Sequence, residues 1–251
     1  MTQAMVYERP ALLDREKHRA VRVRPVAGYG FARRANSVVL AASEFAEACK
    51  EYALVFTRAS EGRVMPAVVL GLRGGENLFV GPDGGWDART IPAYVRRYPF
   101  VLAELPGEAS LAVCIDEACP GLGQEEGEPL FDAEGRETPY LRTALDFLAA
   151  YQREIARTQA FCARLAQAGV LVDMNARADL VDGRSFTLNG LLVVDEKKLL
   201  ALPDATALAL FRAGELHLVS LHLASLSNLQ RLVDRVAQRP SPIQPAPRPN
   251  D

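Results

Sequence analysis

The sequence predicts an α+β fold, and three observations carry that prediction. Short β-type runs crowd residues 53–116, with turn residues between them. A long amphipathic pattern follows from Thr138 to Gln167. Beyond it, a smaller mixture of strand and helix patterns runs to about residue 238. The expected architecture is a mostly antiparallel N-terminal sheet with short helices, a long central amphipathic helix and a small C-terminal α/β portion. A boundary near residue 137 gives a sheet-rich part at 1–137 and a helix-rich part at 138–238, with a single domain over 1–238 as the alternative.

Residues 1–34 read as an irregular basic arm, in which eight Lys and Arg stand against three acids. Arg22 and Arg24 alternate with Val21 and Val23, the pattern of an edge strand that shows its charges to water. Residues 37–42 (SVVLAA) form a short extended run, and Ser43 is placed to N-cap a short helix with Glu44 and Glu47 in its first turn. Five runs then read as strands: 53–57, 66–72, 77–80, 100–105 and 111–116. Glu61-Gly62, Gly74-Gly75, Pro82-Asp83-Gly84-Gly85 and Pro106-Gly107 supply turns, and connections this short favour antiparallel pairing.

Residues 117–137 make a loop rich in Gly, Pro and acid. Thr138 as N-cap and Pro139 at the first helical position open the long helix, and Gly169 ends it. Its Leu141, Leu145, Leu148, Ile155, Cys162 and Leu165 share one face. Residues 178–195 read as two strands joined at Asp182-Gly183. A short helix at 196–200, another at 203–213 ended by Gly214, a strand at 215–223 and a final helix to about Gln238 complete the pattern. Residues 239–251 hold five prolines and read as a disordered or polyproline-like tail.

A composition of 49% hydrophobic and 24% charged residues excludes collagen, a charged disordered chain and a disulfide-dense mini-protein. A net charge of -2 offers no whole-molecule field for nucleic acid or an anionic membrane, so no nucleic-acid partner is expected. That sum hides a segregation. Residues 1–34 carry +5 (eight minus three) and residues 104–137 carry -9 (one minus ten), so the acidic stretch is a candidate to neutralise the basic arm, in this chain or in a partner. The first twenty residues hold no signal-peptide core, and no apolar run approaches the roughly 20 residues that span a bilayer. A cytoplasmic location without transmembrane segments is expected, with non-Sec export as the alternative. Cys49, Cys114, Cys119 and Cys162 lack CxxC spacing and suit reduced thiols.

No chemistry-bearing motif emerges. His217 and His222 stand five apart, and Cys114 and Cys119 lack zinc-finger spacing, so structural cysteines are favoured over metal ligands. Neither GxSxG nor a phosphate loop occurs, and Asp132, Glu134 and Gly135 do not make a calcium ladder. Catalytic residues and cofactors therefore stay unassigned. The densest candidate is the segment 81–100, which carries Trp86, Tyr94, Arg96, Arg97 and Tyr98; rings beside guanidinium groups suit an anionic or aromatic ligand or a partner hot spot. A short helix stapled to a sheet would show the same density. His222 joins the candidates, against the plainer reading of a buried, hydrogen-bonded histidine.

GLRGGENLFVGPDGGW followed by IPAYVRRYPFVLAE, with LAASEFAEACKEYALVF before them and CIDE, PLFDAEG and HLASLSNLQRL after, resembles the bacterial SapC family in the same order from about Tyr7 to Leu232. The likeness implies no catalytic residue. The family's name implies association with a bacterial surface layer, so a surface-layer or envelope-associated structural protein is one expected function. An enzyme of a modification cluster is another. The function put first is a non-catalytic accessory protein that binds a small molecule or a protein partner through the 86–100 segment, with a homo-oligomer as a further expectation.

Overall fold

A computed structural model of the chain describes residues 6–59, 62–104, 111–180 and 183–239. The expected turn residues Glu61, Pro106, Gly107 and Asp182, and the tail at 240–251, lie outside the described residues. The strands are β1 (Pro10–Leu12), β2 (Arg22–Val23), β3 (Ser37–Val39), β4 (Leu54–Arg58), β5 (Val64–Val69), β6 (Phe100–Glu104), β7 (Leu111–Asp116), β8 (Leu122–Gly123), β9 (Glu128–Pro129), β10 (Leu171–Asp179) and β11 (Ser185–Val194). The helices are α1 (Phe45–Ala48), α2 (Ala93–Arg96), α3 (Pro139–Gln167), α4 (Glu196–Leu200), α5 (Asp204–Arg212), α6 (Glu215–Ser225) and α7 (Asn228–Gln238). The α+β class holds.

The sheet strands divide differently from the expectation. A five-stranded antiparallel sheet runs β10-β11-β4-β5-β3, so it draws strands from both sides of residue 137. β7 pairs with β1 on one side and β6 on the other in a separate sheet, and β2 forms a third with β8 and β9. β2 is thus a central strand and not an edge. The acidic loop folds around it: Arg22 donates to the Gly127 carbonyl at 2.8 Å and Arg24 pairs with Glu126 at 3.1 Å. Gly127 permits that approach with φ +106, since a Cβ there would sit 2.6 Å from the Val23 carbonyl carbon. Lys17, Arg9 and His18 converge on Glu117, so the basic arm meets the acidic stretch within one chain.

Three further expectations are corrected. Residues 77–80 form no strand, because the buried Asn77 side chain donates to the Ala32 carbonyl and accepts from Phe79 N, leaving only a bridge from Val80 to Trp86. Ser43 does not cap α1. It lies inside a 3-10 turn at Ala42–Glu44, where the Glu44 carboxylate accepts from Ala41 N instead. Residues 215–223 are helical, within α6, because the buried positions of that helix are Glu215, Val219, His222 and Ser225, a helical spacing of which three members are polar and escape hydropathy.

α3 begins as expected: Thr138 Oγ1 accepts from Leu141 N at 3.2 Å and Pro139 occupies the first turn. Its buried Phe161, Cys162 and Leu165 join the main core beneath the five-stranded sheet, while Leu141 and Leu148 join a second core with Ile115 and Phe100. Among the described residues, no helix is long and apolar enough to cross a membrane.

Candidate functional site

The 81–100 segment is pinned to the main core at its start. Trp86 Nε1 donates to the Tyr52 hydroxyl at 2.8 Å, and that hydroxyl donates to the Thr90 carbonyl. Tyr29 meets the Trp86 ring edge-on, with centroids 5.5 Å apart. The Glu51 carboxylate accepts from the backbone N–H groups of Arg89 and Thr90, both at 2.8 Å. Trp86 is therefore a packed, hydrogen-bonded element of the segment.

α2 carries the next residues. The Arg97 guanidinium lies over the rings of Tyr94, Tyr151 and Tyr7, at 4.2, 5.2 and 5.6 Å from their centroids. Burial pushes the Tyr7 hydroxyl up to about 12, with Arg97 opposing the shift, so Tyr7 stays protonated and donates to the Phe100 carbonyl. Arg96 points outward, donates to the Ile91 carbonyl at 3.0 Å and covers Phe147. Glu44 holds the start of α2 by accepting from Ala93 N at 2.8 Å, and burial raises its carboxyl above the ordinary glutamate value.

Tyr98 departs from this pattern. Its ring stacks on Phe31, with centroids 3.8 Å apart and planes 11° apart, and both rings line a cavity of about 750 Å³. The Tyr98–Pro99 peptide bond is cis. The walls are the strand exit at Arg24, Pro25, Val26 and Ala27, the 82–84 loop, and Ala118, Pro120 and Gly121. Gly28 and Gly84 touch across one end, where Tyr29 N donates to the Gly84 carbonyl at 2.7 Å; a Cβ on Gly28 would meet that same oxygen at 2.9 Å. Burial raises the Tyr98 hydroxyl well above its ordinary value, reinforced by the neighbouring Cys119 thiol.

The rim carries Glu8, Arg24, Arg33 and Asp83. Arg24 is engaged by Glu126, and Arg33 donates to the carbonyls of Gly81 and Pro82. Asp83 accepts from Gly85 N but faces no cation in an ion pair among the described residues, and the same holds for Glu8. The carbonyls that hold Arg33 do not cancel its charge, so Glu8 and Asp83 against Arg33 leave the rim with a small acidic excess.

His222 lies in the core. Its Nε2 accepts from Val194 N at 3.1 Å and its Nδ1 donates to the Leu54 carbonyl at 2.9 Å, so the imidazole ties α6 to β11 and β4. Burial lowers its pKa to about 4, which keeps it neutral. Cys114, Cys119 and Cys162 are buried and Cys49 is half-buried; all four are free thiols. Burial pushes the Cys162 thiol up to about 12 and raises Cys49 and Cys114, which makes these three poor nucleophiles. Among the described residues, no three His, Cys, Asp or Glu side chains gather as a metal-binding group.

Of the six residues singled out in the sequence, then, Tyr98 alone lines the cavity, Arg97, Tyr94 and Trp86 brace its segment, Arg96 is exposed, and His222 is part of the core. Phe31, Arg33 and Glu8 line the cavity too, from the stretch whose charge pattern predicts an irregular basic arm. The alternation Gly28-Tyr29-Gly30-Phe31, rings on a glycine-rich backbone, is the signal that could have found them. Comparison with curated proteins and with solved structures returns no match. The SapC family model matches residues 13–232, which include the segments that build the cavity's floor and most of its walls, and the chain belongs to the SapC family.

Proposed function

We propose that this chain is a non-catalytic binding protein whose cavity over the Phe31–Tyr98 stack holds an extended, proline-bearing segment of a protein partner. The observation that carries the reading is the stacked ring pair, which lines a cavity walled by three loops while the other aromatic residues of the segment are spent on internal contacts. Aromatic-lined grooves are what polyproline helices dock against, and Glu8 and Asp83, which outnumber Arg33 among the rim charges left without an ion-pair partner, suit a basic flank. The neutral His222 and the buried, protonated Cys162 are consistent with a role that uses neither as base or nucleophile. Four free thiols suit a reducing compartment, and a cytoplasmic location is part of the proposal. So is a single folded unit across residue 137, supported by the sheet that pairs β11 with β4.

Photo-crosslinking tests it in cells. A benzophenone side chain at Ala27, inside the cavity, should give discrete adducts that a control at the exposed Ser220 does not. Identical patterns from the two positions would reject the cavity as the binding site.

A further inference from the structure

α5 packs one side on α6 and leaves the other bare. Leu210 is buried, whereas Leu208 is 46% and Phe211 is 69% exposed, and Leu200, just ahead of α5 in the chain, is 87% exposed. Asp204, Leu208 and Arg212 follow one another at four-residue steps, so they form one stripe with about 6 Å between successive positions along the axis. The stripe reads acid, apolar, base. Both charges are exposed, and neither has an ion-pair partner among the described residues.

Such a stripe is complementary to itself when reversed. In a two-fold pairing, residue i of one copy meets residue j of the other and the reverse contact follows by symmetry. Two antiparallel α5 helices crossing at Leu208 would set Leu208 against its equivalent and Asp204 against Arg212 at both ends. The exposed Ala205 and Ala209 beside the stripe allow close approach of the two backbones. A lipid surface is the poorer match, because Lys197, Lys198 and Arg212 are balanced by Asp195, Glu196 and Asp204, leaving no cationic excess for anionic headgroups.

We infer that the exposed face of α5 is a homodimer contact, in which a second copy of this chain packs antiparallel on Asp204, Leu208 and Arg212. The face is small beside the roughly 800 Å² per partner of a standard interface, so the dimer is weak and forms as concentration rises.

Sedimentation of the full chain over a concentration series, with circular dichroism to verify folding, provides the test. The wild type should pass from monomer to dimer, and Leu208→Asp should remain monomeric. Asp204→Arg and Arg212→Asp should each weaken association by about tenfold or more, since each places like charges together at both ends. An equimolar mixture of these two variants should regain the dimer, because the mixed pair opposes unlike charges at both ends. A wild type that stays monomeric throughout, or a mixture that associates no better than its separate components, would overturn the inference.

Discussion

Arg97 Nε donates a 3.0 Å hydrogen bond to the Tyr7 hydroxyl, and the same guanidinium lies 5.6 Å from the centre of the Tyr7 ring. One cation thereby joins the N-terminal segment to α2 and, through Tyr151, to α3. The arrangement divides the aromatic and arginine cluster into a structural half around Arg97 and Trp86 and a cavity-lining half at Tyr98.

Arg97→Ala should therefore lower stability by about 1–3 kcal/mol, and Arg97→Lys should recover only part of it, because an ammonium cannot lie flat on several rings. Arg96→Ala, at an exposed site, should stay within about 1 kcal/mol of wild type. Urea denaturation midpoints of the three variants provide the comparison.

Tyr52→Phe deletes the hydroxyl that accepts from Trp86 Nε1 and donates to Thr90. Leaving those groups unpaired should cost about 1–3 kcal/mol. Trp86 is the sole tryptophan, so its emission spectrum should shift in the folded variant. An unshifted spectrum with unchanged stability would mean that the hydroxyl does not bridge the two.

The pH dependence follows from His222. Its folded pKa of about 4 lies below the ordinary 6.5, so between these values the unfolded chain binds the extra proton. The histidine's contribution is complete above about pH 6.5 and falls as pH drops, by about 2 kcal/mol between pH 8 and pH 5. Glu44, whose carboxyl is raised by burial, shifts stability the opposite way, being stabilising at low pH and losing that contribution as pH rises. The difference between wild type and His222→Gln isolates the histidine: the variant, although less stable at pH 8, should lack this part of the decline. An identical decline in both would contradict the buried neutral imidazole.

Gly127→Ala tests the meeting of the basic arm with the acidic loop. With φ +106 and the Val23 carbonyl in the way, the substitution should destabilise by about 2 kcal/mol or more and expose the β8-β2-β9 sheet to faster amide exchange. Gly62→Ala also has positive φ, but open space around its Cβ, and should cost less.

Much of the fold was legible in local pattern. Thr138-Pro139 marked the start of α3, and the short apolar runs at β4, β5, β6 and β7 between turn residues marked strands, because cap and turn chemistry act within a few residues. What failed depended on distant partners. α6 hides His222 and Ser225 on its buried face because Leu54 supplies backbone groups for both, and no local hydropathy records that. Asn77 ends a strand-like run by reaching Ala32. The site divided in the same way: the sequence pointed to Tyr98, but Phe31, sixty-seven positions earlier, is brought to it only by the tertiary fold.

The central claim is that the stacked Phe31–Tyr98 pair is a docking floor, and backbone amide NMR tests it most directly. A short proline-rich peptide ending in arginine, titrated into the full chain, should shift the amides of Gly28, Phe31, Gly84 and Tyr98 as one cluster. The same peptide with its prolines replaced by alanine should shift them far less, and Glu8→Gln should weaken the proline-rich peptide several-fold. Shifts confined to surfaces away from that cluster, or none with either peptide, would contradict the account.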